Sequence, residues 1–133
     1  MQPKKILVID DSKLVLRMFS VLLPRTEQVQ ALDGREALDR LAEHPDVDLI
    51  FLDINMPTMN GLEFLRRVKA DAALARIPVV IVSTEGKEED TVRGLQAGAA
   101  AYVKKPFRQE TITDIVARLP EPGTPEQGAE PAA

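Results

Sequence analysis

A three-layer α/β sandwich, a parallel sheet covered by helices on both faces, is the fold class this chain of 133 residues predicts. Two observations carry it. Continuous apolar runs, Ile6-Leu7-Val8-Ile9, Leu49-Ile50-Phe51-Leu52 and Val79-Val80-Ile81-Val82, have the length of strands and lack the alternation of a strand with one wet face, so both faces must be covered. Between them lie segments whose apolar residues recur at helical spacing. Regular alternation of strand and helix implies parallel pairing through right-handed crossovers. The length and a hydrophobic content of 44% fit one domain with a sizeable core.

Residues 6–9 form the first strand. Ser12, a favoured cap, opens a helix whose apolar residues Leu14, Val15, Met18, Phe19 and Leu22 keep helical spacing until Pro24 stops it. A weaker strand over 28–32 follows. Asp33-Gly34 marks a turn, and Ala37, Leu38 and Leu41 make the stripe of a second helix ending near His44-Pro45. The central strand, 49–52, comes next. A loop over 54–60 containing Pro57 leads to a third helix, with Leu62, Leu65 and Val68 inward and Glu63, Arg66, Arg67 and Lys69 toward water. Asn60-Gly61 would suit a hairpin, yet the periodicity after it favours a helix start. Residues 79–82 are another buried strand, 88–97 a fourth helix and 101–103 a short last strand. The final helix carries Ile112, Ile115, Val116 and Leu119 on one face.

The absence of cysteine removes disulfides, thiolate metal sites and cysteine nucleophiles, and accords with a reducing compartment. No apolar run approaches the roughly 20 residues that span a bilayer, so a soluble, cytoplasmic protein without a membrane partner is expected. A net charge of −4 leaves no basic footprint for nucleic acid. Three of the negative charges, Glu121, Glu126 and Glu130, fall in residues 120–133, with four prolines, two glycines and no basic or large apolar residue. Such a segment buries too little surface to offset ordering. The division expected is a domain over 1–119 and a disordered, acidic, proline-rich tail over 120–133.

Asp10 and Asp11 follow the first apolar run directly, and Asp53 closes the run at 49–52. Ligands of open parallel sheets bind beyond the carboxyl ends of the strands, the edge where Asp10, Asp11, Asp53, Ser83 and Lys105 all fall. Three carboxylates gathered there repel one another unless a hard cation neutralises them. Taken singly, the acidic pair could cap the first helix and Asp53 could sit in an ordinary turn. Taken together, they suggest a metal beside an aspartate nucleophile, an arrangement suited to phosphoryl chemistry.

In order and spacing, Asp10-Asp11, Asp53 in Leu-Asp-Ile-Asn-Met-Pro, Ser83 in Ile-Val-Ser-Thr and Lys105 in Lys-Lys-Pro-Phe resemble the receiver domain of two-component response regulators. The likeness is to the single-domain, chemotaxis-type members and covers residues 4–119. It implies a flavodoxin-like domain with strand order 2-1-3-4-5, phosphorylated transiently on Asp53 by the phosphohistidine of a sensor histidine kinase or phosphotransfer protein. It implies Mg2+ as cofactor, contacted directly by Asp11, Asp53 and the backbone carbonyl of Asn55, with Asp10 acting largely through water. Lys105 would balance charge on the transferring group and its bond to Pro106 would be cis, with Lys104 a solvated neighbour.

Ser83, which by itself only caps a strand end, takes from the resemblance a switch role: its hydroxyl moves to bond the phosphoryl group and draws the next loop along. Tyr102 is either the partner-sensing aromatic that turns inward with Ser83 or an ordinary half-buried strand aromatic. Asn55 and Glu85, two positions beyond Asp53 and Ser83, are where the family tunes hydrolysis, and their identities imply a phosphorylated lifetime of seconds to minutes. The output would be a rearranged face of the fourth helix, fifth strand and fifth helix, read by a downstream effector protein. The implied state is a monomer, or a weak dimer on activation, with intrinsic autophosphorylation and autodephosphorylation but no separate substrate.

Two departures from the family pattern stand out. The first helix and its loop are about three residues shorter than in chemotaxis-type relatives, which reshapes a kinase-docking surface. Thr84 occupies a position that usually holds alanine or another small residue in the phosphoryl-binding loop, which narrows access. Thr84→Ala is therefore expected to speed phosphorylation by acetyl phosphate; an unchanged initial rate of uptake would remove the steric account.

Competing readings fare worse. A haloacid-dehalogenase-type phosphatase needs a second Asp two positions after its nucleophile, where this chain has Asn55 after Asp53 and Ser12 after Asp10. A nucleotide-binding domain needs a glycine-rich first turn, which Asp10-Asp11-Ser12-Lys13 does not offer. His44, the one histidine, precedes a proline in a surface loop and is a poor phosphoryl carrier. A receiver-fold interaction module acting without phosphorylation is the remaining alternative, although such modules commonly lose an acidic, serine or lysine position retained here.

Overall fold

The computed structural model describes residues 1–54, 61–84 and 88–120. Strand and helix alternate along it: β1 Lys5–Ile9, α1 Lys13–Leu22, β2 Glu27–Ala31, α2 Gly34–Glu43, β3 Leu49–Asp53, α3 Gly61–Ala70, β4 Val79–Ser83, α4 Glu88–Gln96, β5 Ala101–Lys104 and α5 Gln109–Arg118. All neighbouring strands are parallel, in the order β2-β1-β3-β4-β5. The expected architecture and strand order are therefore both present. The register sets Ile9 beside Ala31 and Leu52, Asp53 beside Val82, and Ser83 beside Lys104, so the strands end together along one edge.

Side chains alternate across the sheet and make two cores. Leu7, Ile9, Ile50, Leu52, Val79 and Ile81 meet Ala37 and Leu41 of α2 and Phe64, Leu65 and Val68 of α3. On the other face Ile6, Val8, Leu49, Phe51, Val80 and Val82 meet Leu16 and Phe19 of α1 and Ile112 and Val116 of α5. Phe19 links that layer, its ring centroid 4.7 Å from Phe51 and 5.2 Å from Phe107. Every residue of β3 and β4 is buried, which is why those segments carry no polar alternation.

Several local expectations are refined. Asp33 caps α2 rather than forming a free turn: its Oδ1 accepts from Glu36 N at 2.8 Å, and Glu36 Oε1 accepts from Leu32 N at 2.7 Å. Within α1, Leu16 and Phe19 are buried, while Leu14 is 66% exposed and Met18 and Val21 also face solvent. Phe64 joins the inward stripe of α3. Lys69, expected in water, donates to the carbonyls of Ala75 and Ile77 at 3.0 and 2.9 Å and ties down the connection to β4.

Amide side chains hold α1 from both sides. Gln28 Nε2 donates to Phe19 O at 2.6 Å and Gln30 Nε2 to Leu16 O at 3.1 Å, both from β2. Gln109 Nε2 of α5 reaches Leu22 O at 3.2 Å. The Pro57 loop and all of the acidic tail beyond Pro120 lie outside the described residues.

Gly61 at the start of α3 lets that helix approach the end of β3. A Cβ there would stand 2.6 Å from Ile54 Cα and 2.9 Å from Asp53 O, both backbone atoms that cannot swing aside. Gly61→Ala is expected to destabilise the fold by about 1–3 kcal/mol, measured by urea denaturation. An unchanged midpoint would show that the helix start shifts freely.

Candidate functional site

The carboxyl ends of β1, β3, β4 and β5 assemble the site. Asp10 follows β1 directly; its N–H donates to Ala31 O at 3.0 Å and its Oδ1 accepts from Ser12 N at 2.8 Å. The helix cap is Ser12, whose Oγ accepts from Val15 N at 3.3 Å. The acidic pair is thus not needed to cap α1. Asp10 and Asp53 are 1% and 4% exposed, whereas Asp11 is exposed. One carboxylate oxygen from each of the three lies within 4.8 Å of the others.

Lys105 reaches into this group. Its Nζ is 2.9 Å from Asp10 Oδ2 and 3.7 Å from Asp53 Oδ2, and its N–H donates to Ser83 O at 2.7 Å. The Lys105-Pro106 bond is cis, as expected. Burial alone would lower the lysine pKa, but the hydrogen bond to Asp10 and the charges of Asp53, Asp10 and Asp11 together raise it above its ordinary value. Lys105 is therefore a cation throughout the neutral range. Among the described residues, one ammonium against three carboxylates leaves excess negative charge in a partly buried pocket, and an all-oxygen donor set suits a hard divalent cation.

Ser83 closes β4 with a side chain 1% exposed, and its Oγ is buried without a hydrogen-bond partner among the described residues. Buried hydroxyls are seldom left so. Removing the group should cost the resting fold nothing, so Ser83→Ala is expected to leave stability unchanged or raise it by up to about 1 kcal/mol. A clear loss in thermal melting would mean that the hydroxyl is satisfied at rest.

The remaining sequence candidates separate. Thr84 is exposed at the mouth of the site. Tyr102 projects from β5 at 45% exposure, a placement that fits either reading of this aromatic. Lys104 is not simply solvated: its Nζ lies 3.1 Å from Glu88 Oε2 of α4, a cross-element pair that no local sequence signal discloses. His44 is the C-cap of α2, at the opposite end of the sheet, with Nδ1 3.3 Å from Lys5 Nζ; it takes no part in the site. Asn55 and Glu85 lie outside the described residues. No described helix is long and apolar enough to cross a membrane.

Fold and site together define a flavodoxin-like receiver, with acidic side chains, a hydroxyl and a lysine converging at the carboxyl edge of a 2-1-3-4-5 sheet. The family model for the response regulator receiver domain matches residues 6–117. A chemotaxis protein CheY homolog of Campylobacter jejuni is 34% identical over 129 residues, covering 95% of this chain and 99% of its own. Chemotaxis protein CheY1 of Helicobacter pylori is 33% identical over 113 residues, 83% of this chain and 91% of its own. Among solved structures, Vibrio cholerae chemotaxis protein CheY4 aligns with a TM-score of 0.80 at 34% identity, covering 88% of this chain and 98% of that one. The chain belongs to the response regulator receiver domain family, and within it to the CheY type.

Proposed function

We propose that this protein is the phosphoacceptor of a two-component system, with Asp53 taking a phosphoryl group from the phosphohistidine of a sensor histidine kinase or phosphotransfer protein. The observation that carries the reading is the position of the Asp53 carboxylate, held beside Asp10 and Asp11 and within 3.7 Å of the Lys105 ammonium. An Asp53 carboxylate oxygen attacks phosphorus; the new P–O bond forms as the P–N bond breaks, and the electron pair leaves with the imidazole nitrogen. Lys105 offsets charge on the incoming oxygens. Asp10 holds Lys105 in place and, with Asp11, Asp53 and the Asn55 carbonyl, would hold Mg2+. When bound, that ion supplies the positive charge that lets an anionic donor approach an anionic site.

Ser83 then donates its orphaned hydroxyl to the phosphoryl group and shifts the segment after it, so that α4, β5 with Tyr102, and α5 present a changed face to an effector protein. Attack of water on phosphorus, positioned by Asn55 and Glu85, releases phosphate and restores the carboxylate. The reading places the receiver in residues 1–119, treats 120–133 as an appendage, and sets the protein in the cytoplasm. The test is exposure to acetyl phosphate or beryllofluoride with Mg2+, followed by mass and spectroscopic change, with the activated form used to capture partners. Capture that ignores activation would favour a phosphorylation-independent interaction module.

A further inference from the structure

We infer that the groove between α1 and the start of α2 is a binding site for an organic phosphate, a small molecule that joins a phosphate dianion to an apolar body. The groove holds about 460 Å3, within the range of small-molecule sites, and contains none of the acidic-edge residues Asp10, Asp11 and Asp53. Lys13, Leu16 and Arg17 line it from α1, Ala31 and Leu32 from the end of β2, and Glu36 from the first turn of α2. Its sides are tied together: Gln30 of β2 donates Nε2 to Leu16 O at 3.1 Å, and Glu36 Oε1 accepts from Leu32 N at 2.7 Å. The site goes beyond the phosphoacceptor reading and does not depend on it.

Charge decides the occupant. Lys13 and Arg17 are exposed and four residues apart on one helix, a spacing at which side chains are neighbours and like charges repel. Lys13 is also the first residue of α1, whose first turn holds no acidic residue, so its charge opposes the helix dipole. Neither side chain has a hydrogen bond or ion pair among the described residues. The one carboxylate lining the groove is already engaged, Glu36 Oε2 with Arg40 at 3.3 Å and Oε1 with Leu32 N. Two unpaired cations that weaken their own helix therefore face one space. A phosphate dianion has the oxygens to meet both, with the Arg17 guanidinium gripping two of them. Leu16 and Ala31, both buried, and Leu32, 38% exposed, offer apolar surface to the rest of the molecule. Asp11, two residues before Lys13, and Asp33, directly after Leu32, suit a compact anion and turn away a polyanion.

The probe is phenylphosphonate, whose C–P bond gives up no phosphoryl group to Asp53. It is titrated without Mg2+ into the isotope-labelled protein, with inorganic phosphate and benzyl alcohol as its two halves, and amide NMR shifts are followed. The shifts should saturate over residues 13–20 and 30–36, at a concentration at least about ten-fold below that needed for either half. Lys13→Gln and Arg17→Gln should each raise that concentration by about three- to ten-fold, and the double variant should not saturate. Leu32→Ser should weaken phenylphosphonate and leave inorganic phosphate unchanged. In melting curves the cation variants should be as stable as wild type or more so, because a like-charge repulsion is relieved. Tyr102 is the one tyrosine and tryptophan is absent, so its emission separates this groove from the phosphoacceptor: beryllofluoride with Mg2+ should still change it in the double variant. Shifts that fall elsewhere, equal affinity for phenylphosphonate and inorganic phosphate, or undiminished binding by the double variant would overturn the site. A beryllofluoride response lost only in the double variant would merge these cations with the acidic edge and overturn it too. A response absent from wild type would overturn the phosphoacceptor reading alone.

Discussion

Asp53→Asn is expected to abolish phosphoryl uptake from acetyl phosphate and to erase the response of Tyr102 emission to beryllofluoride. The substitution is nearly isosteric at a position 4% exposed at the end of a fully buried strand, so the backbone of β3 and its pairing with β4 should persist. What is lost is chemistry. An amide oxygen is a poor nucleophile toward phosphorus, and the amide NH2 would present a donor where the incoming group needs an anion. One repelling carboxylate also disappears from beside Asp10 and Asp11, so the metal-free variant should melt at or above the wild-type temperature. Loss of uptake with an intact fold is the result expected. Stoichiometric modification of the Asn variant would place the acceptor elsewhere.

Lys105→Met should have the largest effect on the metal-free fold. It removes the ammonium that faces Asp10 and Asp53, whose side chains are only 2% and 5% exposed, and with it the positive charge that partly balances theirs. Breaking a contact of this kind costs about 2–3 kcal/mol, read as a fall in the urea midpoint in EDTA. Mg2+ should stabilise the variant more than wild type, because it replaces the missing positive charge. The folded pKa of Lys105 is raised above 10.5. Its contribution is therefore complete below that ordinary value and fades only as pH climbs through the higher folded one. The stability gap should stay flat between about pH 7 and about pH 9.5. A gap that narrows across that window would show the lysine already losing its proton there.

What the sequence disclosed divides by range. The central strands were plain because burial on both faces leaves no polar residue to interrupt the run, as in Val79-Val80-Ile81-Val82. The site was plain for a related reason: strand ends put Asp10, Asp53, Ser83 and Lys105 on one edge once the order of the sheet is granted. Within α1 the periodicity located a helix but not its buried face, since Leu14, Leu16, Met18, Phe19 and Val21 distribute apolar surface around most of the circumference. Packing on Phe51 decided in favour of Leu16 and Phe19. Lys69 and Lys104 read as solvated because their partners, the carbonyls of Ala75 and Ile77 and the carboxylate of Glu88, are set by tertiary placement. These partners lie six, eight and sixteen residues away along the chain, outside the three- and four-residue spacing that a helix periodicity reads.

The attachment of α1 through Gln28, Gln30 and Gln109 has one more consequence. These amides grip main-chain oxygens of Leu16, Phe19 and Leu22, atoms that every amino acid possesses, so this anchorage is indifferent to the identity of the outward residues. Leu14, Met18 and Val21 can thus be rewritten one at a time for roughly 0.5 kcal/mol or less each. A lineage carrying this scaffold is able to change what the helix meets while the acidic edge inherits no penalty.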